Sequence, residues 1–193
     1  MVRDPRTVLW FMLAGSLAAC GSRECKLEDP GSCASSEICE AVQGRDKPMC
    51  FAPVQVEGKV FDLQSGAGIE NAHVTAVDAN GAPVGAAAVS GAGGKYTLRV
   101  PSLRTDDKGA FVGKRLTLRA AATNYATFPS GVRVSLPLDT TAAARTEDGK
   151  PFVLSGGLTD IGLASLPDAE KNRPSIAGTV EVEIGRASCR ERV

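Results

Sequence analysis

Apolar and polar residues alternate with a period of two through the middle of the chain. Such alternation is typical of β-strands that have one buried face. No stretch keeps an apolar period of 3.6 residues long enough for a helix, and further strands are predicted at 82–89 and near 158–166. The apolar members of the alternating runs are Val54, Val56 and Val60; Ala72, Val74 and Ala76; Tyr96, Leu98 and Val100; Leu116, Leu118, Ala120 and Ala122; and Val132, Val134, Leu136 and Leu138.

Turn sequences separate these runs. The segment Asp78-Ala79-Asn80-Gly81 carries the Asn-Gly signal of a tight hairpin, and the glycines at 91–94 mark another turn. Short strands at regular intervals with turns between them are typical of antiparallel sandwiches. The pattern therefore predicts an all-β protein with a seven-stranded β-sandwich.

The first twenty residues follow a different pattern. Arg3 and Arg6 precede an apolar run of about ten residues, Val8–Leu17, and a membrane-spanning helix needs about twice that length. The run ends in Leu17-Ala18-Ala19-Cys20. A short apolar run with this ending indicates a cleaved signal peptide, and the four residues resemble the cleavage box of bacterial lipoproteins.

That resemblance implies that Cys20 becomes the lipidated first residue of the mature chain. Several acyl chains on one cysteine hold a protein at a membrane far more firmly than a single chain does. Gly21 in place of aspartate favours the outer membrane. We therefore expect the protein in the bacterial cell envelope, outside the cytoplasm, with the membrane as a partner through the N-terminal lipid.

The last ten residues, 184–193 (IGRASCRERV), resemble a translated sequencing adapter. We expect them to contribute nothing to the fold. Without both ends the chain is slightly acidic and has no basic patch, so no nucleic-acid partner is expected.

Four cysteines remain once Cys20 and Cys189 are set aside: Cys25, Cys33, Cys39 and Cys50. An even number in an exported protein predicts two disulfides, and the spacing leaves all three connectivities open. The alternative is a zinc site. The seven, five and ten residues between successive cysteines lack the close pairs of zinc ribbons, and no histidine is near.

Four segments carry a family resemblance: V-E-G-K-V-F-D at 56–62, S-G-A-G-I-E-N-A-H-V at 65–74, G-G-K-Y-T-L at 93–98 and L-T-L-R-A-A-A-T-N-Y-A-T at 116–127. They are similar to the carboxypeptidase regulatory-like domain. This implies a transthyretin-like, seven-stranded Greek-key sandwich over about 54–166. Asn124 stands where that family usually has glycine, and 139–156 has no counterpart and is expected to be a loop.

The order of segments along the chain follows from these observations. The tripeptide 51–53 is expected to be a hinge, and Ile176-Ala177-Gly178-Thr179-Val180 resembles 56–60, which indicates a second copy cut short. The predicted segments are the lipoprotein signal peptide (1–19), the lipid-anchored cysteine-rich segment (20–53), the β-sandwich (54–167), a linker with the start of a truncated second repeat (168–183), and the adapter-derived tail (184–193).

Candidate chemistry is sparse. His73 is the single histidine, and its alternation with Ala72 and Val74 predicts that it points to solvent. No G-x-S-x-G motif is present. Asp106 and Asp107 precede a glycine but lack the spaced oxygen ligands of a calcium loop. Tyr125 and Phe128, beside a loop, are the candidate ligand-binding aromatics. No catalytic residue, metal or other cofactor is predicted.

The sequence thus favours a non-catalytic surface lipoprotein that acts as a spacer or interaction module. Its expected partner, besides the membrane, is a cell-surface protein or polysaccharide. One alternative is the anchoring front of an extracellular hydrolase whose catalytic domain is missing. A second alternative is a glycan-binding surface module.

Overall fold

The computed structural model describes residues 23–171 except 132, 146, 148 and 149. These residues contain three short 3-10 turns and no α-helix, and no helix among them could cross a membrane. Cys20 and the segment from 172 onward lie outside the described residues. The strands are β1 (Ile38–Glu40), β2 (Met49–Phe51), β3 (Val54–Asp62), β4 (His73–Val77), β5 (Ala88–Val89), β6 (Lys95–Val100), β7 (Arg115–Ala121), β8 (Leu138–Asp139), β9 (Phe152–Ser155) and β10 (Ile161–Leu163).

Strands β3 to β10 form a sandwich of two sheets. One sheet has the order β5-β4-β7-β8, and in the other β3 lies between β6 and the pair β9 and β10. Strand β9 pairs with Val54–Glu57 and β10 with Val60–Asp62, so the two share one strand position beside β3. Counted by position, the sandwich has seven strands, and the predicted all-β sandwich is confirmed.

The core lies between the inner faces of these two sheets. Alternate residues of β3, β6 and β7 are buried, and the residues between them are exposed or half-buried. Burial of this kind removes apolar surface from water and is the main favourable term in folding. The period-two interpretation is therefore correct for these strands. The buried members include Val54, Val56, Val60, Val74, Tyr96, Leu98, Val100, Leu116, Leu118 and Leu163.

The expected loop at 139–156 contains strand β9, and this prediction was wrong. Phe152 lies opposite Val54 in a parallel pairing with β3, and β10 also runs parallel to β3. The sandwich is therefore not purely antiparallel. The sequence does not predict β9 because the strand has only four residues. Four residues are too few for a period-two alternation to be recognised.

The predicted strand with Leu138 also differs. Val134 is 70% exposed and Leu136 is 56% exposed, and only Leu138–Asp139 pairs as a strand. The hydroxyl of Ser135 accepts the hydrogen bond of the Leu118 amide, in place of a backbone carbonyl. Pro137 has no amide hydrogen to continue a ladder. Val134 and Leu136 therefore face solvent, whereas Leu138 is buried; Val132 lies outside the described residues.

Asn124, where the sequence comparison expects glycine, adopts the left-handed backbone conformation that glycine favours. Its φ angle is +67°, and its carbonyl accepts a hydrogen bond from Leu166 at 2.9 Å. Asparagine tolerates this region better than most residues. The substitution is compatible with the turn.

Gly58 provides a test of this fold. A Cβ there would lie 2.2 Å from the Thr159 carbonyl oxygen, a backbone atom that cannot move without shifting the turn before β10. We expect Gly58→Ala to lower the free energy of unfolding by about 1–3 kcal/mol, as overpacking does. Chemical denaturation measures this. Gly157→Ala is the control, because nothing lies within 4 Å of its Cβ, and equal stability of the two variants would contradict the close approach.

Candidate functional site

The four cysteines lie in a small unit, residues 23–51, called the cysteine module below. Cys25 is bonded to Cys39 and Cys33 to Cys50, so the structure has one of the three connectivities that the sequence left open. The sulfur atoms of Cys25, Cys33 and Cys50 lie within 4.8 Å of one another. The two disulfides therefore pack together and, with Val42, Met49 and Phe51, make up the interior of the module.

A buried ion pair joins the cysteine module to the sandwich. Arg104 is 1% exposed, Glu40 is 2% exposed, and the Arg104 Nε donates to a Glu40 carboxylate oxygen. The other oxygen accepts from the Ser102 amide at 2.6 Å. The two terminal nitrogens of Arg104 donate to the carbonyls of Gly109 at 2.6 Å and Ala52 at 2.8 Å. Every polar end of the pair is thus hydrogen-bonded, as a buried pair requires.

Aromatic rings enclose the guanidinium. Its carbon lies 4.8 Å from the centre of the Phe51 ring and 5.6 Å from that of Phe111. Burial raises the pKa of the Glu40 carboxyl above its ordinary value, against the opposing effects of the Arg104 charge and the Ser102 amide. Removal from water therefore outweighs the attraction at Glu40, which is the usual balance for buried ion pairs.

Backbone hydrogen bonds extend the same contact. The Arg104 amide donates to Ala41 at 2.9 Å, and Gln43 donates to the Arg104 carbonyl at 2.7 Å. The hinge predicted at 51–53 is not seen, because Phe51 belongs to β2 and Pro53 and Phe51 are both buried. The cysteine module and the sandwich are packed as one unit.

Sequence reasoning missed this pair, although a signal was available. The inward phase of β6, at Tyr96, Leu98 and Val100, continues through Ser102 to Arg104, and all five residues are buried. An arginine in the apolar phase of a strand needs a buried partner of opposite charge. The sequence gives no comparable signal for Glu40, because β1 is only three residues long.

The predicted aromatics Tyr125 and Phe128 follow β7 in the chain, and both are half-buried against the core. Phe128 exchanges backbone hydrogen bonds with Ala120 at 2.8 and 2.9 Å. Its ring is covered by Arg133, whose guanidinium carbon is 5.0 Å from the ring centre and which also donates to the Gly162 carbonyl. The two aromatics therefore do not form an open platform.

The Tyr125 hydroxyl is engaged with Asp62 at the end of β3. Hydrogen bonds from the amide and hydroxyl of Ser65 lower the pKa of Asp62, and Tyr125 adds to this. Burial, followed by Asp62, raises the pKa of Tyr125. The side chains most suited to a polar ligand at this end of the sandwich are thus used in internal contacts.

The remaining sequence candidates also have structural roles. The Asp106 carboxylate accepts from the amides of Lys108 and Ala110 at 3.0 Å, which closes its own loop. Asp107 pairs with Arg45 at 2.8 Å. His73 is exposed on β4, as predicted.

The cysteine module carries an open cleft of about 380 Å³. Both cations that line it are in ion pairs: Lys47 contacts Glu24 at 2.7 Å, and Arg45 contacts Asp107. The cleft thus presents neutralised rather than single-sign charge. Its lining residues are Glu24, Gly44, Arg45, Asp46, Lys47 and Met49.

No protein-family model and no curated protein matches this chain. Among solved structures, it is similar to a group B streptococcus pilus 2b backbone protein, with 13% identity and a TM-score of 0.37 over 66% of this chain and 47% of that one. A chlorocatechol 1,2-dioxygenase from Pseudomonas putida has 12% identity and a TM-score of 0.35, over 58% of this chain and 60% of that one.

The dioxygenase domain of a dioxygenase and carbohydrate-binding protein fusion from Streptomyces sp. SirexAA-E is also similar. It has 14% identity and a TM-score of 0.34, over 58% of this chain and 80% of that one. This chain spans about half the length of the pilus protein. These similarities are of general β-sandwich form and assign no activity.

The ion pair can be tested by breaking and then replacing it. Arg104→Met leaves Glu40 buried without its partner, and we expect the free energy of unfolding to fall by about 3–5 kcal/mol. Glu40→Leu combined with Arg104→Met should recover part of that loss, because no charge is then left buried without a partner. The recovery is incomplete because the Ser102 amide and the Gly109 carbonyl lose their side-chain partners. Equilibrium denaturation of the single and double variants measures both effects.

The exposed pair Lys47–Glu24, at 70% and 62% side-chain exposure, is the matched control. Lys47→Met should change stability by no more than about 1 kcal/mol. If Arg104→Met is as mild as Lys47→Met, the cysteine module is not held by the buried pair.

Proposed function

We propose that this chain is a non-catalytic, membrane-anchored lipoprotein outside the cytoplasm, whose cysteine module and β-sandwich together act as a spacer or interaction module. The box Leu17-Ala18-Ala19-Cys20 supports the anchor. The finer membership, in the carboxypeptidase regulatory-like domains, is part of this proposal and draws on the segments at 56–62 and 93–98.

The observation that carries the proposal is the buried Glu40–Arg104 pair. Cys20 lies five residues before Cys25, where the first disulfide begins. A lipid at Cys20 would therefore hold a unit that is packed onto the sandwich rather than a free tether. Such an arrangement would give the sandwich a firm base at the membrane rather than a flexible one, which suits a surface spacer.

The non-catalytic part of the proposal is supported by the use made of the polar groups. Asp62, Asp106, Asp107, Glu40 and Arg104 all serve turns or ion pairs among the described residues. General acid–base catalysis needs a positioned group that can reach a substrate proton. These side chains are instead directed at backbone amides, at carbonyls or at each other.

Metabolic palmitate labelling of the expressed precursor tests the anchor. The label should be present in the natural chain and absent from Cys20→Ala, which should also leave the membrane fraction. Cys39→Ala is the control, since it removes a cysteine but not the acceptor and should keep the label. Undiminished labelling of Cys20→Ala would overturn the proposed anchor.

A further inference from the structure

Strand β3 is paired in parallel with the last strands of the sandwich. The chain enters the sandwich at Val54, and β9 and β10 run in the same direction as β3 along its two halves. The entry point therefore lies at one end of this seam, and β10 leaves at the other. Tension between the two chain ends would pull β3 and β10 in opposite directions along their common axis.

Parallel pairing determines how this seam responds to tension. When two paired strands are pulled lengthwise in opposite directions, their hydrogen bonds share the force and must break together. When the same strands are pulled apart from one end, the bonds break one after another. The first geometry resists a greater force for the same set of bonds, because each bond then bears only part of the load. The unfolding rate under force, rather than the equilibrium stability, reports this difference.

Side-chain bonds bridge the gap in the seam between β9 and β10. The Thr159 hydroxyl donates to the Glu57 carbonyl at 2.6 Å, and the Asp160 carboxylate accepts from the Lys59 amide at 2.9 Å. On the other side of β3, the Tyr96 hydroxyl reaches across to the Thr159 carbonyl at 2.5 Å. The pairing with β3 is thus nearly continuous from Val54 to Asp62.

The cysteine module adds to this geometry at the entry end. With both disulfides closed, the shortest covalent path from Cys25 to Cys50 crosses the first disulfide to Cys39, follows the backbone to Cys33, and crosses the second disulfide to Cys50. Only the short backbone segment between Cys33 and Cys39 lies on this path. The module also contacts Arg104, just beyond Val100, and Val100 pairs with Val54. Force that enters through the module is therefore passed to both β3 and β6.

We propose that the sandwich is a tension-resistant element, in which the parallel seam of β3 with β9 and β10 bears force between the two ends of the chain. This inference deepens the proposed spacer function and rests on it for its role in the cell, since tension requires an anchor. The mechanical property itself belongs to the folded chain and can be measured without a membrane.

Single-molecule force spectroscopy in two directions tests the proposal. The mature chain, with Cys20→Ser to remove the lipid, is pulled first through handles at its two ends. It is then pulled through the C-terminus and a clickable amino acid in place of Gln64, an exposed residue in the turn after β3. The second geometry separates adjacent ends of β3 and β10, so it unzips the same seam.

We expect a higher unfolding force for end-to-end pulling than for pulling from position 64. The release of length at the end-to-end event should correspond to the chain between Val54 and Leu163, at about 3.3–3.6 Å per residue. Equal unfolding forces in the two directions would overturn the proposal. This comparison uses the natural seam and does not depend on any variant folding well.

Thr159→Val tests the seam from its side chains. The change removes the hydroxyl's bond to the Glu57 carbonyl and the bond that it accepts from the Gly156 amide. Loss of the bond to Glu57 alone should speed end-to-end unfolding at constant force about fivefold, with a smaller effect when pulling from position 64. Thr97→Val, the same change at an exposed position of β6, is the matched control and should have no effect. An equal effect of Thr159→Val in both directions would contradict the role of Thr159 in the seam and indicate general destabilisation.

The failure of this inference is distinguishable from failure of the proposed function. Loss of the palmitate label in the natural chain removes the anchor and leaves the mechanical measurement standing. Equal unfolding forces with the label intact leave an anchored spacer that has no special resistance to tension.

Discussion

The pairing of β3 on both sides is the constraint on which the rest of the sandwich depends. Its ladder with β6 runs from Val54 to Lys59, and β9 and β10 occupy its other edge. The backbone must approach closely on that edge, which is why glycine at 58 faces the Thr159 carbonyl. Because β3 also supplies buried valines to the core, its register fixes both the sheet and the inner face.

The buried ion pair has a different role. A pair of this kind gains little net stability over an apolar contact, since both charges must leave water. It does exclude other arrangements, because Glu40 and Arg104 cannot be buried in any packing that separates them. Three hydrogen bonds to neighbouring backbone groups and two rings surround the pair, and all of these contacts depend on the observed placement of the cysteine module on the sandwich.

Sequence could predict those parts of the fold in which a strand is long enough to show its period. The alternation at Tyr96, Leu98 and Val100 and at Leu116 and Leu118 identified buried faces that the structure has. It failed where pairing is short, as in β9, and where a side chain replaces a backbone partner, as Ser135 does beside Leu118. Alternation of apolar residues shows which face of a strand is apolar. Only tertiary contacts decide whether that apolar face is buried.

The candidate site was harder to predict than the fold, for a physical reason. Aromatics beside a loop, such as Tyr125 and Phe128, can bind ligands, but an aromatic ring has as much to gain from packing on the core. Arg133 covers the Phe128 ring, so that ring is packed rather than open to a ligand. Residue spacing does not predict this contact. Glu40 and Arg104 are separated by 64 residues, and no local pattern relates them.

The sequence did not show the Glu40–Arg104 ion pair or the parallel pairing of β3 with β9 and β10. Both features concern the places where the chain enters and leaves the sandwich. The ion pair fixes the cysteine module at the end of the sandwich where Val54 pairs with Val100. The parallel seam places the exit of β10 at the opposite end, beside Asp62. An antiparallel last strand would instead have returned the chain to the end where it entered. Parallel pairing thus separates the point where the chain enters the sandwich from the point where it leaves, and the length of β3 sets the distance between them.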